Sequence, residues 1–414
     1  MEDFKTAWFD SSRKALSEKI IGDGDAAISQ AIIEEGQLYG QGCGHNLLGV
    51  GHVGAVLGMQ AEMEARKLPG TIVYFGCPAE ELLTGKAFMA RGHAFDGLDC
   101  AIAFHPGTAN AVTMGNSLAL NSAKFHFHGI TAHAGGDPHN GRSALDALEL
   151  MNVGVQFLRE HMSDKARVHY AITDAGGRSP NVVQPRASVL YMVRSNHVAE
   201  AVELQARVDK IAQGAALMTE TTVEKKFIDG LADTVTNHAL ERVLYRNFEA
   251  LGVPSYTPEE LAFADGLAKT YPGSDRAPGV GSQYDPDYAA DVQARRAEAG
   301  HAMNSFLLPL YQGDAFQPGS TDVGDVSWQC PTAQIHVATW PNGCPGHSWQ
   351  NVSCGRTDIG HKAALHAGKV LAAAAIDLLT DPSLLEEAKA EFQRRTAAGY
   401  TCPIPADAVP TIAD

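Results

Sequence analysis

The sequence predicts a layered α/β protein with a smaller α+β domain inserted into it. The first and last parts of the chain alternate helical stretches with short, continuous apolar runs, which is the pattern of strands buried on both faces. The middle of the chain instead carries strands of alternating polarity around two helices. Since 414 residues exceed what one ordinary core supports, two domains are expected.

The composition excludes several classes of function. With hydrophobic residues at 45% and charged residues at 19%, the chain is globular, and its net charge of -16 argues against nonspecific binding to nucleic acid or anionic membranes. We see no apolar run of the roughly 18 residues that a membrane span needs, and no signal peptide in MEDFKTAWFDSSRKAL. Seven irregularly spaced cysteines suit a reducing compartment, so a cytoplasmic location is expected.

The larger domain is expected to combine helices with a largely parallel sheet. Two short helices are predicted before residue 37, split by GDGD, and a long helix is predicted over residues 46–66. Continuous apolar runs predict three buried strands: TIVYFG (71–76), CAIAF (100–104) and AQIHVATW (333–340). Residues 252–300 are polar and rich in Pro, Gly and Asp, and are expected to form an extended surface excursion.

The inserted domain follows a β-α-β-β-α-β order, which is the ferredoxin-like plan. The predicted elements, in chain order, are a strand at 122–130, a helix at 142–161, strands at 166–173 and 187–195, a helix at 198–218 and a strand at 221–228. We therefore divide the chain into a first part of the larger domain, an inserted domain and a second part of the larger domain: residues 1–117, 118–230 and 231–414.

Side chains that bind metals follow each predicted strand of the larger domain and open its long helix. They are Cys43 and His45 in a glycine-rich turn, Glu80 and Glu81 after the first strand, His105 after the second and His347 after the third. Open α/β sheets bind ligands beyond the carboxyl ends of their strands, so these side chains are expected to converge. Thiolate, imidazole and carboxylate groups together suit a hydrolytic site with one or two divalent ions.

The adjacent carboxylates of Glu80 and Glu81 are expected to have different roles. On an extended backbone Glu80 and Glu81 point in opposite directions, so one can bind the ion while the other faces the substrate as a general base. Each feature alone has a plainer interpretation: a solvated Glu-Glu pair, a His-Pro turn, or a buried thiol beside a surface histidine. Their combination at strand ends favours the metal site.

Seven segments carry a resemblance to a known family: GCGHNLLG, YFGCPAEELLTGKAFM, AFHPG, AHAGGDPHNGRSALDAL, SPNVVQP, STDVGDVSW and GHSWQ. Over residues 40–410 the chain resembles the M20 family of metal-dependent aminoacylases and amidohydrolases, and within it the aminobenzoyl-glutamate and auxin-conjugate hydrolases. The resemblance implies a zinc-peptidase-like catalytic domain with an inserted dimerisation lid. It also implies five metal ligands (Cys43, His45, Glu81, His105 and His347), with Glu80 as the general base.

The resemblance extends to the substrate and to the inserted domain. It implies that His133, in GITAHAG, reaches the active site of a partner subunit, and that Asn181 contacts the substrate near the scissile amide. Arg194, in YMVRS, suits bidentate pairing with a substrate carboxylate, the plainer alternative being an exposed strand arginine. Structural or solvated roles are expected for the remaining polar candidates, which are Asp322, Asp325, His52, His126 and His128.

Together these expectations predict an enzyme that hydrolyses the amide bond of N-acyl or N-aroyl amino acids. Aminobenzoyl-glutamate-like compounds are the first candidates for its substrate. A thiolate ligand favours zinc, while the mixed donor set also admits manganese or cobalt. The alternatives are a dipeptidase, an auxin-conjugate hydrolase, or a non-catalytic partner of a heteromeric enzyme, since the stretch before Cys43 is short for the family. The chain is expected to form a homodimer, or a heterodimer with a homologous subunit.

Overall fold

The computed structural model describes residues 41–82, 84–112, 116–280, 284–314, 316–317 and 319–410. The two helices predicted before residue 37 lie outside these residues. The described helices are α1 (His45–Arg66), α2 (Gly85–Arg91), α3 (Ala144–Leu158), α4 (Val198–Met218), α5 (His238–Leu251), α6 (Pro258–Ala268), α7 (Pro286–Ala299), α8 (Val323–Ser327), α9 (Trp349–Gly355), α10 (Asp358–Thr380) and α11 (Pro382–Arg395).

The first sheet has three strands in the order β1-β7-β2, formed by β1 (Ala101–Gly107), β7 (Thr332–Ala338) and β2 (Ala111–Val112). Strands β1 and β7 are parallel and in register from Ala101 opposite Thr332 to Gly107 opposite Ala338, whereas the short β2 is antiparallel. The carboxyl ends of β1 and β7 therefore meet at one edge, as the sequence predicts for these two strands.

Helices α1 and α10 pack closely against each other in the larger core, together with α5 and the first sheet. Glycines allow this approach, since a Cβ added to Gly368 would lie 2.8 Å from the Gly51 carbonyl oxygen. By length and composition α10 is apolar enough to cross a membrane, a feature that the sequence interpretation missed. Half of its apolar window is buried inside the protein, so core packing accounts for the composition.

The prediction of a strand at 71–76 is wrong. Residues 68–79 form no regular element, although Ile72 and Phe75 pack on neighbouring core clusters. Within the described part of the chain, β1 pairs with β7 alone. On its other side the Phe104 N–H donates a hydrogen bond to His52 Nε2 at 3.1 Å, so a side chain takes the place of a neighbouring strand there.

The second sheet is antiparallel and has the order β4-β5-β3-β6. Its strands are β3 (Ala119–His128), β4 (Arg167–Asp174), β5 (Arg186–Ser195) and β6 (Thr222–Leu231), with α3 after β3 and α4 after β5. Alternate residues face the two helices and form a separate core that includes Phe125, Phe127 and Tyr191. The predicted layered α/β fold with an inserted ferredoxin-like unit is confirmed.

The expected surface excursion over 252–300 is only partly correct, because it contains two capped helices. Thr257 and Glu260 form a capping box at the start of α6, and Asp285 caps α7. Apolar side chains from both helices are buried in satellite cores, including Leu267 and Val292. Polar composition concealed these helices, since each buries only a narrow apolar stripe.

Candidate metal centre

A tight turn places Cys43 and His45 beside the end of β1. Gly44 has φ = 88° and precedes the first turn of α1. A Cβ at Gly44 would lie 3.0 Å from the Trp340 ring and 3.1 Å from Pro106, so glycine is needed for both its backbone conformation and this close approach. The turn therefore delivers the thiol and the imidazole to the carboxyl edge of the sheet.

Glu80 and Glu81 lie in a 3-10 turn, so the expectation that they point apart is wrong. His45 Nε2 lies 2.9 Å from Glu80 Oε2 and 3.3 Å from Glu81 Oε1. Glycine at 85 keeps this turn compact, because a Cβ there would lie 1.7 Å from the Pro78 carbonyl oxygen. A turn rotates successive side chains by less than a strand does, which brings both carboxylates to one ring.

His105 presents a free nitrogen to the thiol. Its Nδ1–H donates to the Pro106 carbonyl at 2.7 Å, which leaves the Nε2 lone pair facing Cys43 Sγ at 3.4 Å. Burial lowers the pKa of His105, which favours the neutral ring that a metal ligand requires. Behind it, His336 Nδ1 donates to the His105 carbonyl at 3.1 Å.

His347 completes the cluster from the loop after β7. Its backbone has φ = 55°, and its N–H donates to the Gly42 carbonyl at 3.1 Å. Asn351 Nδ2 donates to the same carbonyl at 2.9 Å, so this loop is attached to the turn of Cys43. The ring Nε2 of His347 lies 3.5 Å from Glu81 Oε2. Of the two carboxylates, Glu81 is thus the one that spans His45 and His347.

The donor atoms form three overlapping groups, and within each group they lie within 4.8 Å of one another. The groups are Cys43, His45 and His105; Cys43, Glu81 and His347; and His45, Glu80 and Glu81. They include all five predicted ligands together with the predicted base. Glu81 and His347 are 48% and 67% exposed, so the cluster is open to solvent on their side.

Two observations test whether a cation fits this cluster. Burial, and then the charges of Glu81 and Glu80, raise the pKa of the Cys43 thiol to about 12, so the thiolate needs a compensating positive charge. His45 Nε2 is buried 2.9 Å from Glu80 Oε2 and 3.3 Å from Glu81 Oε1 with no hydrogen bond of regular geometry, and the contact with Glu80 raises the pKa of its ring, so the nitrogen is surrounded by negative charge. Clustered carboxylates, a thiol and an unsatisfied ring nitrogen fit a divalent ion.

The chain does not bring every predicted residue to this cluster. His133 is exposed, and its Nδ1 accepts hydrogen bonds from the N–H groups of Gly135 and Gly136 at 3.1 and 2.9 Å. The carbonyl of exposed Asn181 accepts a bond from the Ala134 N–H at 2.9 Å. Neither residue contacts the cluster within the described residues of this chain.

Arg194 lies partly buried rather than exposed on its strand. Its Nη1 donates to Ser320 Oγ at 2.7 Å, and it forms no ion pair with any carboxylate of the described residues. Ser320 precedes Thr321, whose hydroxyl donates to Glu80 Oε1 at 3.2 Å. The guanidinium is therefore linked to the base through two neighbouring residues and keeps its charge available for an anion.

The residues expected to be structural have internal partners. Asp325 accepts hydrogen bonds from the Ala232 N–H at 3.1 Å and the Tyr400 hydroxyl at 2.6 Å. His52 Nδ1 donates to the Leu48 carbonyl at 2.7 Å, and His126 bonds Ser188 at 2.8 Å. The remaining contacts are His128 with Glu224, at 4.0 Å, and Asp322 with Lys86, at 2.7 Å.

Sequence reasoning missed Lys86, Thr321 and His336. Lys86 lies in the first turn of α2, and its Nζ forms an ion pair with fully buried Asp322. A single lysine in a helix carries no signal, and a threonine before an aspartate suggests only a cap. His336 lies within a predicted buried strand, where a polar residue in an apolar run is the one available signal.

A parallel strand pair whose carboxyl edge gathers a thiol, imidazoles and paired carboxylates is the arrangement of a metal-dependent hydrolase. A family model described as a peptidase dimerisation domain matches residues 119–219. The chain is 41% identical over 382 residues to one of the subunits of the p-aminobenzoyl-glutamate hydrolase of Escherichia coli, covering 90% of this chain and 78% of that protein. The chain belongs to the M20 family of metal-dependent amidohydrolases.

Two further similarities are more distant. The chain is 26% identical over 357 residues to the Xaa-Arg dipeptidase of Mus musculus, covering 86% of this chain and 70% of that protein. The crystal structure of an aminobenzoyl-glutamate utilization protein from Klebsiella pneumoniae superposes with a TM-score of 0.50 and 20% identity, covering 79% of this chain and 67% of that one. At this identity the structural likeness supports the fold alone.

Replacing Cys43 by alanine should weaken metal binding. Loss of a direct ligand should cost more than the roughly 10- to 100-fold in affinity typical of outer contacts. Titration against a chromogenic chelator, with metal analysis of the loaded protein, measures this effect. Cys402→Ala is the matched control, because that half-buried thiol donates to the Ile404 carbonyl and belongs to none of the three donor groups. Unchanged affinity in Cys43→Ala would remove the thiol from the ligand set.

Proposed function

We propose that this chain hydrolyses the amide bond of N-acyl or N-aroyl amino acids, with p-aminobenzoyl-glutamate and similar compounds as its substrates. The observation that carries the proposal is the convergence of Glu80 with the five candidate ligands at one sheet edge. The high identity to a p-aminobenzoyl-glutamate hydrolase chain supports this choice of acyl group and amino acid.

Glu80 suits the role of general base. Burial alone would raise its pKa, but His45, Lys86 and His105 together lower it, so the group is an ionised carboxylate near neutral pH. It takes a proton from the attacking water and passes it to the leaving amine. Cys43, His45, Glu81, His105 and His347 would hold a divalent ion, which would supply Lewis-acid polarisation of the amide carbonyl and lower the pKa of a water.

The donor set favours zinc over other ions. A thiolate ligand is soft, and the imidazoles of His45, His105 and His347 suit zinc equally well. The carboxylate of Glu81 keeps manganese and cobalt as alternatives. Overlap of the three donor groups allows one or two ions.

We further propose that the working form is a dimer of this chain, or a heterodimer with a homologous subunit. The neutral ring of His133 carries its proton on Nε2, because its Nδ1 accepts two backbone N–H groups. No hydrogen bond joins this Nε2–H to another described residue of the same chain, so the donor is available to the site of a partner subunit. The match to a dimerisation domain and the relative's designation as a subunit support this assembly. The seven free thiols support a cytoplasmic location.

Arg194 is our candidate for binding the substrate carboxylate. Arg194→Met should raise the KM for N-acyl amino acids by about 10- to 100-fold, since a charge-assisted hydrogen bond is lost. The matching amino acid amides should show little change. Arg186→Met is the control, because Arg186 lies at the other end of β5 and pairs with Asp174 at 3.0 Å. Equal losses on acids and amides would contradict this role.

The function is tested by loading the purified chain with zinc or manganese and assaying a panel of amides. The panel contains p-aminobenzoyl-glutamate, other N-acyl amino acids, indoleacetyl-amino acids and dipeptides ending in arginine. Hydrolysis of the aroyl or acyl amino acids by the chain alone is expected. Preference for the dipeptides would favour the dipeptidase alternative, which the 26% identical relative supports. If turnover appeared only after a homologous chain was added, this chain would instead be the non-catalytic partner of a heteromeric enzyme.

A further inference from the structure

Three successive residues, 320–322, each contact a different part of the site. The hydroxyl of the first accepts a hydrogen bond from Arg194 at 2.7 Å, and the hydroxyl of the second donates to Glu80 at 3.2 Å. The carboxylate of the third accepts from the backbone N–H of Lys86 at 2.8 Å and from its Nζ at 2.7 Å. This 320–322 segment thus joins the inserted unit, the base and α2.

The 320–322 segment is held firmly from two sides. Asp322 is fully buried, and both of its oxygens bond Lys86, in the turn of helix that follows the paired carboxylates. A buried, doubly bonded ion pair is costly to separate. On the other side, Gly324 lies so close to Ala232 that a Cβ there would come within 2.1 Å of the carbonyl oxygen. The segment is therefore anchored on both sides.

Thr321 fixes an orientation that the other contacts of Glu80 leave free. Glu80 Oε2 lies 2.9 Å from His45 Nε2, out of line for a hydrogen bond, while Glu80 Oε1 receives the Thr321 hydroxyl. The Val323 N–H donates to Thr321 Oγ1 at 3.4 Å, so the hydroxyl proton remains directed at the carboxylate. A carboxylate with a hydrogen bond at one oxygen and a charged contact at the other has a defined rotation about its last bond.

We propose that Thr321 is a positioning residue that holds the Glu80 carboxylate in the orientation from which it takes the proton of the attacking water. The proposal rests on the proposed function, in which Glu80 is the general base. The ion pair of Asp322 with Lys86 anchors Thr321, and Ser320 extends the same segment to Arg194. A substrate carboxylate bound by Arg194 would thus lie next to the 320–322 segment, which orients the base.

The first experiment compares two substitutions of Thr321. Thr321→Val keeps the shape but removes the hydroxyl, and should lower kcat about 10-fold or more, as expected for a lost hydrogen bond to a charged group. KM and bound metal should stay close to wild type. Thr321→Ser keeps the hydroxyl and should recover kcat to within about threefold of wild type. A wild-type kcat in Thr321→Val, or no recovery with serine, would overturn the proposal.

Thr332→Val is the matched control. Like Thr321, Thr332 donates its hydroxyl within the protein, to the Cys330 carbonyl at 2.9 Å. It is buried and lies at the amino end of β7, opposite the site. Its kcat should equal that of wild type. A loss matching that of Thr321→Val would mean that removing any hydrogen-bonded threonine hydroxyl slows the enzyme, and would overturn the positioning role.

A double-mutant cycle with Glu80→Gln tests whether Thr321 acts through Glu80. Once the base is absent, Thr321→Val should cause no further loss of the residual turnover. The same proportional loss in both backgrounds would place the action of Thr321 elsewhere and overturn the proposal.

A second cycle separates this proposal from the proposed function. Thr321→Val and Glu80→Ala, alone and together, should shift the denaturation midpoint non-additively, because their hydrogen bond exists in the folded protein without substrate. Additive shifts would overturn the positioning role whatever the chain hydrolyses. Non-additive shifts in a metal-loaded chain that hydrolyses no amide of the panel would support the contact and overturn the proposed function alone.

Discussion

Glu80→Gln should lower turnover by roughly 10²- to 10⁴-fold, the loss typical of removing a general base. Glutamine keeps the size of the side chain and can still accept the Thr321 hydroxyl, but it cannot hold the proton of the attacking water. Bound metal should stay near the wild-type amount. Steady-state kinetics on p-aminobenzoyl-glutamate, with metal analysis of the same sample, measure both quantities.

Glu81→Gln provides the contrast. Glu81 spans His45 and His347, at 3.3 and 3.5 Å, so its loss should weaken metal binding first and reduce turnover through the missing ion. High concentrations of zinc or manganese should then restore part of the activity of Glu81→Gln and none of that of Glu80→Gln. The reverse pattern would mean that Glu80 binds the ion and Glu81 takes the proton.

His133→Ala should lower turnover by about 10²- to 10³-fold, the usual effect of losing one hydrogen-bond donor to a developing oxyanion. The fixed tautomer supplies that donor, because both backbone N–H groups occupy Nδ1 and leave the proton on Nε2. Bound metal and the denaturation midpoint should not change, since the His133 side chain is exposed and its hydrogen bonds run only to Gly135 and Gly136 of the same loop. His139→Ala is a control, being an exposed histidine in the same loop region.

Mixed dimers test whether His133 serves the partner's site. A dimer of one His133→Ala chain and one Glu80→Gln chain contains one site that combines an intact Glu80 with the partner's intact histidine. Dimers isolated with two different affinity tags should therefore recover about half of the wild-type turnover, although each parent keeps only a small fraction of it. No recovery in isolated mixed dimers would mean that His133 acts within its own chain.

The plan of the inserted unit follows from the amino-acid sequence alone, because its strands alternate in polarity and its helices have long apolar faces. The predicted order of these six elements is the observed one, and the predicted strand at 100–104 overlaps β1. The candidate ligands His105 and His347 could also be found without coordinates, since side chains that follow parallel strands meet at one edge of a sheet. Glu80 and Glu81 follow no strand and reach that edge from a turn.

Contacts between distant parts of the chain decide those features of the fold and of the site that local sequence patterns do not predict. The apolar run at 71–76 is not a strand, because pairing depends on a neighbouring backbone and His52 satisfies the edge of β1 at Phe104 instead. Glu80 and Glu81 approach the same ring because a compact turn next to Gly85 replaces extended backbone. The contact of Thr321 with Glu80 joins residues 241 positions apart, and no periodicity in a sequence reports a hydrogen bond across that separation.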